Sequence, residues 1–226
     1  MWREWTPEEL IGPLNEVERK NAPERLFLAG DVDLLRSGRR VSVVGSRKVS
    51  PAGASRTRGL VNVLVERGIT VVSGLAEGVD TAAHETAMKE GGRTIGVLGT
   101  PLDSTYPASN RELQARMMRD ELVVTQFPVG YPFQKKNFPM RNRTMALLSD
   151  ATIIVEAGEK SGTLHQGWEA LRLGRPLFLL RSVAEDTRLS WPAEMIRYGA
   201  EVLTRESLPE ALDEMPALTH GEAVAF

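Results

Sequence analysis

A chain of 226 residues that is 42% hydrophobic and 26% charged is long enough for one large α/β domain with small appendages. It has no cysteine, which removes disulfides, thiolate metal sites and cysteine nucleophiles together and fits a reducing compartment. A net charge of −2 and a pI near 6.0 exclude a protein that coats nucleic acid with its whole surface, so any such site must be a local patch.

Residues 1–36 read as an arm packed on the main body. Thr6-Pro7-Glu8-Glu9 caps a short helix, Pro13 limits it and Asn21-Ala22-Pro23 is a turn, with Trp2 and Trp5 as docking anchors. Met1-Trp-Arg-Glu-Trp5 lacks the apolar core of a signal peptide, and no run approaches the about 20 apolar residues of a membrane span; a cytoplasmic protein with no membrane partner is expected. From Arg40 the pattern changes to short β-branched runs alternating with helical segments. Strands are expected at Val41–Val44, Ile69–Val72, Thr94–Leu98, Leu122–Thr125, Thr152–Glu156 and Pro176–Leu180. Helices are expected near Ala52–Arg67, Thr81–Glu90 with Asp80 as its cap, Ser109–Asp120, the apolar run that follows Arg141-Asn142-Arg143, and Thr163–Leu173. Strands separated by helices require crossover connections, hence a mostly parallel sheet covered on both faces. The fold class is therefore α/β, a Rossmann-like doubly wound core over residues 37–205, in which ligands collect where the strands' C-terminal ends meet the following loops. Beyond Arg181 the pattern weakens: Trp191-Pro192 and Tyr198-Gly199 read as turn anchors, Glu201–Leu203 as a short last strand, and 206–226 as a tail with a frayed His220–Phe226.

Four of these strand ends run into residues suited to an anion: Gly45-Ser46-Arg47, Ser73-Gly74 and on to Gly78, Gly99-Thr100-Pro101, and Ser161-Gly162-Thr163. Glycine allows close backbone approach, and the positive end of the next helix adds to the field. Each glycine can equally be a tight βα turn; four on one sheet edge favour a phosphate-lined groove. Arg47 adds to this, because a guanidinium beside such a turn can make bidentate phosphate contacts. A second basic stretch, Lys135-Lys136 to Arg141-Asn142-Arg143, is interleaved with Phe127, Tyr131, Phe133 and Phe138, rings that can stack on bases or pack in the loop. Arg141 and Arg143 diverge by roughly 200° on a helix, so one cannot duplicate the other.

Catalytic signals are thin. No phosphate-binding nucleotide fingerprint is present, His84 sits among alanines on a packing helix, and His165 with Glu169 is an i, i+4 pair without cysteines or paired carboxylates around it. No catalytic residue, metal site or cofactor is called for.

Taken together, Val43-Val-Gly-Ser-Arg47, Ser73-Gly-Leu-Ala-Glu-Gly-Val-Asp-Thr-Ala-Ala-His84, Gly92-Arg-Thr-Ile95, Leu102-Asp-Ser-Thr-Tyr-Pro107, Asn137-Phe-Pro-Met-Arg-Asn-Arg143 and Glu156 with Ser161-Gly-Thr163 resemble the DNA-processing protein A family, DprA/Smf. The resemblance implies an extended Rossmann core that binds single-stranded DNA in a basic pocket without hydrolysing it, pairs as a homodimer and helps load the recombinase RecA during transformation or recombination. Carried over by position, it implies Arg47 as a phosphate ligand with Gly45, Ser46, Ser73 and Gly74 beside it, Arg141, Asn142 and Arg143 as the Arg-Asn-Arg element, and Ser161, Gly162 and Thr163 as the second small-residue turn. The chain departs from the family after that turn, where Leu164-His165-Gln166 replaces the usual continuation, and it leaves only about 35 and about 20 residues for the flanking domains of longer members. The alternative is a nucleotide-like small-molecule binder, sensor or phosphoribohydrolase on the same broad fold. That enzyme class needs a glutamate where this chain has Gln166.

Overall fold

A strand covered on both faces must present apolar side chains to both, and the β-branched runs accordingly become the inner strands of one sheet. The structure is a computed structural model and describes residues 2–216, so the expected frayed end at 220–226 lies outside the described residues. The chain opens with β1 (Arg3–Trp5), α1 (Pro7–Ile11), α2 (Glu16–Arg19) and β2 (Leu26–Gly30). There follow β3 (Arg40–Gly45), α3 (Pro51–Glu66), β4 (Thr70–Ser73), α4 (Val79–Lys89), β5 (Thr94–Leu98), α5 (Arg111–Asp120) and β6 (Leu122–Thr125). The second half runs α6 (Asn137–Leu147), β7 (Ala151–Glu156), α7 (Thr163–Arg172), β8 (Leu177–Leu180), α8 (Arg181–Ala184), α9 (Trp191–Arg197), β9 (Glu201–Leu203) and α10 (Leu208–Glu214).

Among the described residues the strands form one sheet in the order β1-β2-β6-β5-β4-β3-β7-β8-β9. Every pair from β6 across to β9 is parallel, while β2 joins β6 and β1 joins β2 antiparallel. The chain steps outward from β3 to β6, then returns to lay β7 on the other side of β3. The order reverses between β3 and β7, and the loops leaving their C-terminal ends diverge into a crevice there.

Alternation along β7 shows how both faces are filled. Ile153 and Val155 pack with Leu60, Leu64 and Ala83 of α3 and α4, whereas Ile154 packs with Met145, Leu148, Ala170 and Met195 on the other face, the period of two a pleated strand imposes.

Several local expectations need correction. The N-terminal arm adds two strands to the sheet; Trp5 packs against the core under the Arg36 guanidinium, 4.6 Å from its ring centroid, but Trp2 is exposed. Trp191-Pro192 opens α9 instead of making a turn, which is tolerated because a first-turn residue has no intrahelical hydrogen bond to give up. Asp80 is not the cap of α4: Gly78 holds that position, and Asp80 lies inside the first turn.

Candidate nucleic-acid interface

The loops after β3 and β7 meet over the switch point and enclose, with α6 and α7, a cavity of about 510 Å3. Two bonds fix the loops to each other. The Ser46 amide donates to the Glu156 carbonyl (2.7 Å), and the Thr163 hydroxyl donates to the Gly45 carbonyl (3.0 Å). Behind them the Glu156 carboxylate accepts from the Ser50 amide (2.8 Å) and hydroxyl (2.5 Å), holding the far end of the first loop at the start of α3. α7 begins at Thr163 with Gly162 as its cap; the Thr163 amide donates to the Ser161 hydroxyl (3.2 Å), and the positive end of that helix lies at the cavity, which Gly162 and Thr163 line.

Of the residues singled out in the sequence, Gly45, Ser46, Arg47, Arg141, Asn142, Ser161, Gly162 and Thr163 all line this cavity. Lys48, Lys160, Phe138, His165 and Gln166 line it too. Four cationic side chains, Arg47, Lys48, Arg141 and Lys160, thus face it against one carboxylate, Asp80. Arg47 is exposed, makes no ion pair among the described residues, and carries its guanidinium 5.4 Å over the Phe138 ring.

Arg141 differs in kind. It is buried, and Nη1 donates to the carbonyls of Gly74 (2.5 Å) and Val97 (2.8 Å) while Nε donates to Asn142 (2.9 Å). Gly74 is required here by space: a Cβ would stand 2.1 Å from Arg141 Nη1, so the guanidinium lies flat on the backbone where any other residue would displace it. Asp80 completes the arrangement, accepting from the amides of Gly74 (3.1 Å) and Ala76 (3.3 Å). Burial pushes the Asp80 carboxyl upward, opposed by the Arg141 charge and these amides. Burial pulls the Arg141 guanidinium downward, opposed by Asp80 and reinforced by Arg47. The pair therefore sits between the ends of β4 and β5 as a strut beneath the cavity wall. His84 lies in the same layer, fully buried with Nδ1 2.7 Å from the Thr94 hydroxyl; burial and the Arg141 charge hold its pKa at about 3.

The remaining sequence candidates lie elsewhere. Ser73 is fully buried and donates to the Val43 carbonyl (2.7 Å). Gly74 borders a small side recess shared with Arg47, Tyr106 and Phe138. Arg143, on the other side of α6 from Arg141, pairs with Glu169 (3.0 Å), which also takes Arg172 (2.7 Å); Glu169 is thus not oriented on His165. Lys135 and Lys136 are exposed just before α6 and off the cavity wall. Of the loop aromatics, Phe127 is core, while Phe133, Phe138 and Tyr106 form a three-ring cluster with centroids 5.1, 5.3 and 5.8 Å apart. Tyr106 stands in the sequence only within the Leu102–Pro107 motif, too far from the 127–138 aromatics to be read as part of one cluster with them.

A family model described as DNA recombination-mediator protein A matches residues 6–214. Protein Smf of Synechocystis is 36% identical over 96% of this chain and 56% of its own length. The DNA processing protein DprA of Bacillus subtilis is 34% identical over 86% of this chain and 65% of its own, and that of Streptococcus pneumoniae 38% identical over 85% and 67%. The chain therefore spans between about half and two thirds of the length of these curated relatives. The solved DprA of S. pneumoniae superposes with a TM-score of 0.81 at 34% identity, covering 95% of this chain and 75% of that one. That of Helicobacter pylori, a protein with its own single-stranded DNA binding mode, superposes with a TM-score of 0.80 at 26% identity over 96% and 98%. By the match along nearly all its described length and by these relatives, the chain belongs to the DNA recombination-mediator protein A family.

Proposed function

We propose that the switch-point cavity grips the phosphate backbone of single-stranded DNA, and that the protein acts as a non-hydrolytic accessory that holds a strand for a RecA-type recombinase, working as a homodimer. The observation that supports this most is the convergence of Arg47, Lys48 and Lys160 from two loops on one cavity at the start of α7. Such an array neutralises phosphates without reading sequence. Tyr106 and Phe133, 42% and 54% exposed, stand beside it as surfaces on which bases stack. Hydrolysis is disfavoured by what the cavity's carboxylate is doing: Asp80 is occupied by two backbone amides and the Arg141 charge, and the position a phosphoribohydrolase fills with glutamate is the buried Gln166.

Titration of labelled oligothymidylate tests the reading. With three or four phosphates engaged, affinity should fall by about 20- to 50-fold between about 50 mM and about 200 mM salt. Salt-insensitive binding, or release of free base from a nucleoside monophosphate, would overturn it.

A further inference from the structure

A second cavity, larger than the switch-point one, lies along the same sheet. A groove of about 760 Å3 lies between α3 and the ends of β8 and β9. Its floor is apolar, made by Leu60, Val63, Leu180 and Leu203, and Arg56, Arg181 and Arg205 stand on its rim. Glu185 and Glu206 share that rim and approach Arg181 to 3.9 and 4.0 Å, and Arg56 is paired with Glu156 (3.3 Å), so the rim is close to neutral.

Three observations connect this groove to the first cavity. Both open at the C-terminal edge of the same sheet, and β3, β7, β8 and β9 are consecutive neighbours, so three strand spacings, about 14 Å, separate their ends. Arg56 of the groove donates to Glu156 (3.3 Å), the carboxylate that anchors Ser50 at the end of the Arg47 loop. Arg56 Nε is buried without a hydrogen-bond partner in the protein, an unmet donor at the crossing point. Gly59 is the third. It sits in the middle of α3, where glycine costs about 1 kcal/mol relative to alanine, yet a Cβ there would meet nothing within 4 Å. No described neighbour needs that glycine, and it lines the groove.

We propose that this groove is a second subsite for the same DNA strand, taking a nucleobase of a flanking nucleotide on its apolar floor while the rim arginines meet the adjoining phosphates. The inference rests on the proposed binding of single strands in the switch-point cavity and extends its footprint past the Arg47 loop. Because the rim is nearly neutralised, the base contact carries most of the gain, and the second step is less salt-dependent than the first.

The test compares oligothymidylates of about four and about twelve nucleotides on the parent, Gly59→Leu and Gly59→Ala. Leucine fills the groove from a position with open space, so the fold is retained and thermal stability rises slightly, which circular dichroism checks. The parent should bind the longer strand about tenfold more tightly than the number of registers alone gives; Gly59→Leu should lose that gain and keep the short strand's affinity, and Gly59→Ala should keep most of both. An equal gain in parent and Gly59→Leu would overturn the subsite and turn attention to an acidic, apolar peptide as the groove's occupant. Short-strand binding indifferent to Arg47→Ala would remove the first cavity's role, and the subsite with it.

Discussion

Arg47→Ala is expected to weaken binding of a short oligothymidylate by about 10- to 100-fold while shifting the melting temperature by no more than about 3 °C. A charge-assisted hydrogen bond to a phosphate contributes about 1.5–3 kcal/mol, and each 1.4 kcal/mol is about tenfold in affinity. The small thermal effect follows from where the side chain sits. Arg47 is exposed, has no carboxylate partner among the described residues, and gives up only its position over Phe138, a contact of about 0.5–1 kcal/mol at an exposed site. One lost phosphate contact should also flatten the salt dependence by about 0.7 in logarithmic slope. Arg47→Lys should recover part of the affinity, as a point charge without the bidentate fork. Unchanged affinity in the alanine variant, measured by anisotropy, would place the strand somewhere else.

Arg141→Ala is expected to act by the opposite route, through stability. It removes the donor to the Gly74 and Val97 carbonyls and leaves Asp80 buried without its counter-charge. Breaking one partner of a buried pair costs about 3–5 kcal/mol. In a chain of this size each kcal/mol is worth about 2–4 °C, so the melting temperature should fall by about 6–20 °C. DNA binding should decline with it, since the turn at Gly74 and the start of α4 lose their strut. Pairing the change with Asp80→Asn should recover part of the stability, because no charge is then left uncompensated. A stable Arg141→Ala protein that has lost only DNA affinity would show instead that this guanidinium meets the strand directly.

The contrast between these arginines marks what the sequence could and could not convey. β-branched runs such as Val41–Val44 and Thr94–Leu98 announced the inner strands because burial on both faces leaves little freedom of composition. The alternation of strands and helices implied a mostly parallel sheet with its ligand loops on one edge, but not the order reversal between β3 and β7 that brings Gly45-Ser46-Arg47 and Ser161-Gly162-Thr163 to one cavity. The antiparallel edge was hidden: β1 has only three residues, and β2 draws its specification from pairing with β6, a long-range partner. Side-chain commitments were hidden too. The divergence of Arg141 and Arg143 was legible, but not which of them α6 turns into the buried strut and which toward Glu169. Gly74 read as a phosphate turn, whereas its missing side chain makes room for Arg141. Lys48 and Lys160 carried no motif of their own; only the closing of the two loops brings them to one wall.

The most direct measurement is the crystal structure of this chain with an oligothymidylate bound. Phosphate oxygens within hydrogen-bonding distance of the Arg47 guanidinium and the backbone at the start of α7, with a base against Tyr106, Phe133 or Phe138, are the expected result. A strand seated on another face, with the cavity between β3 and β7 holding no phosphate, would contradict the assignment.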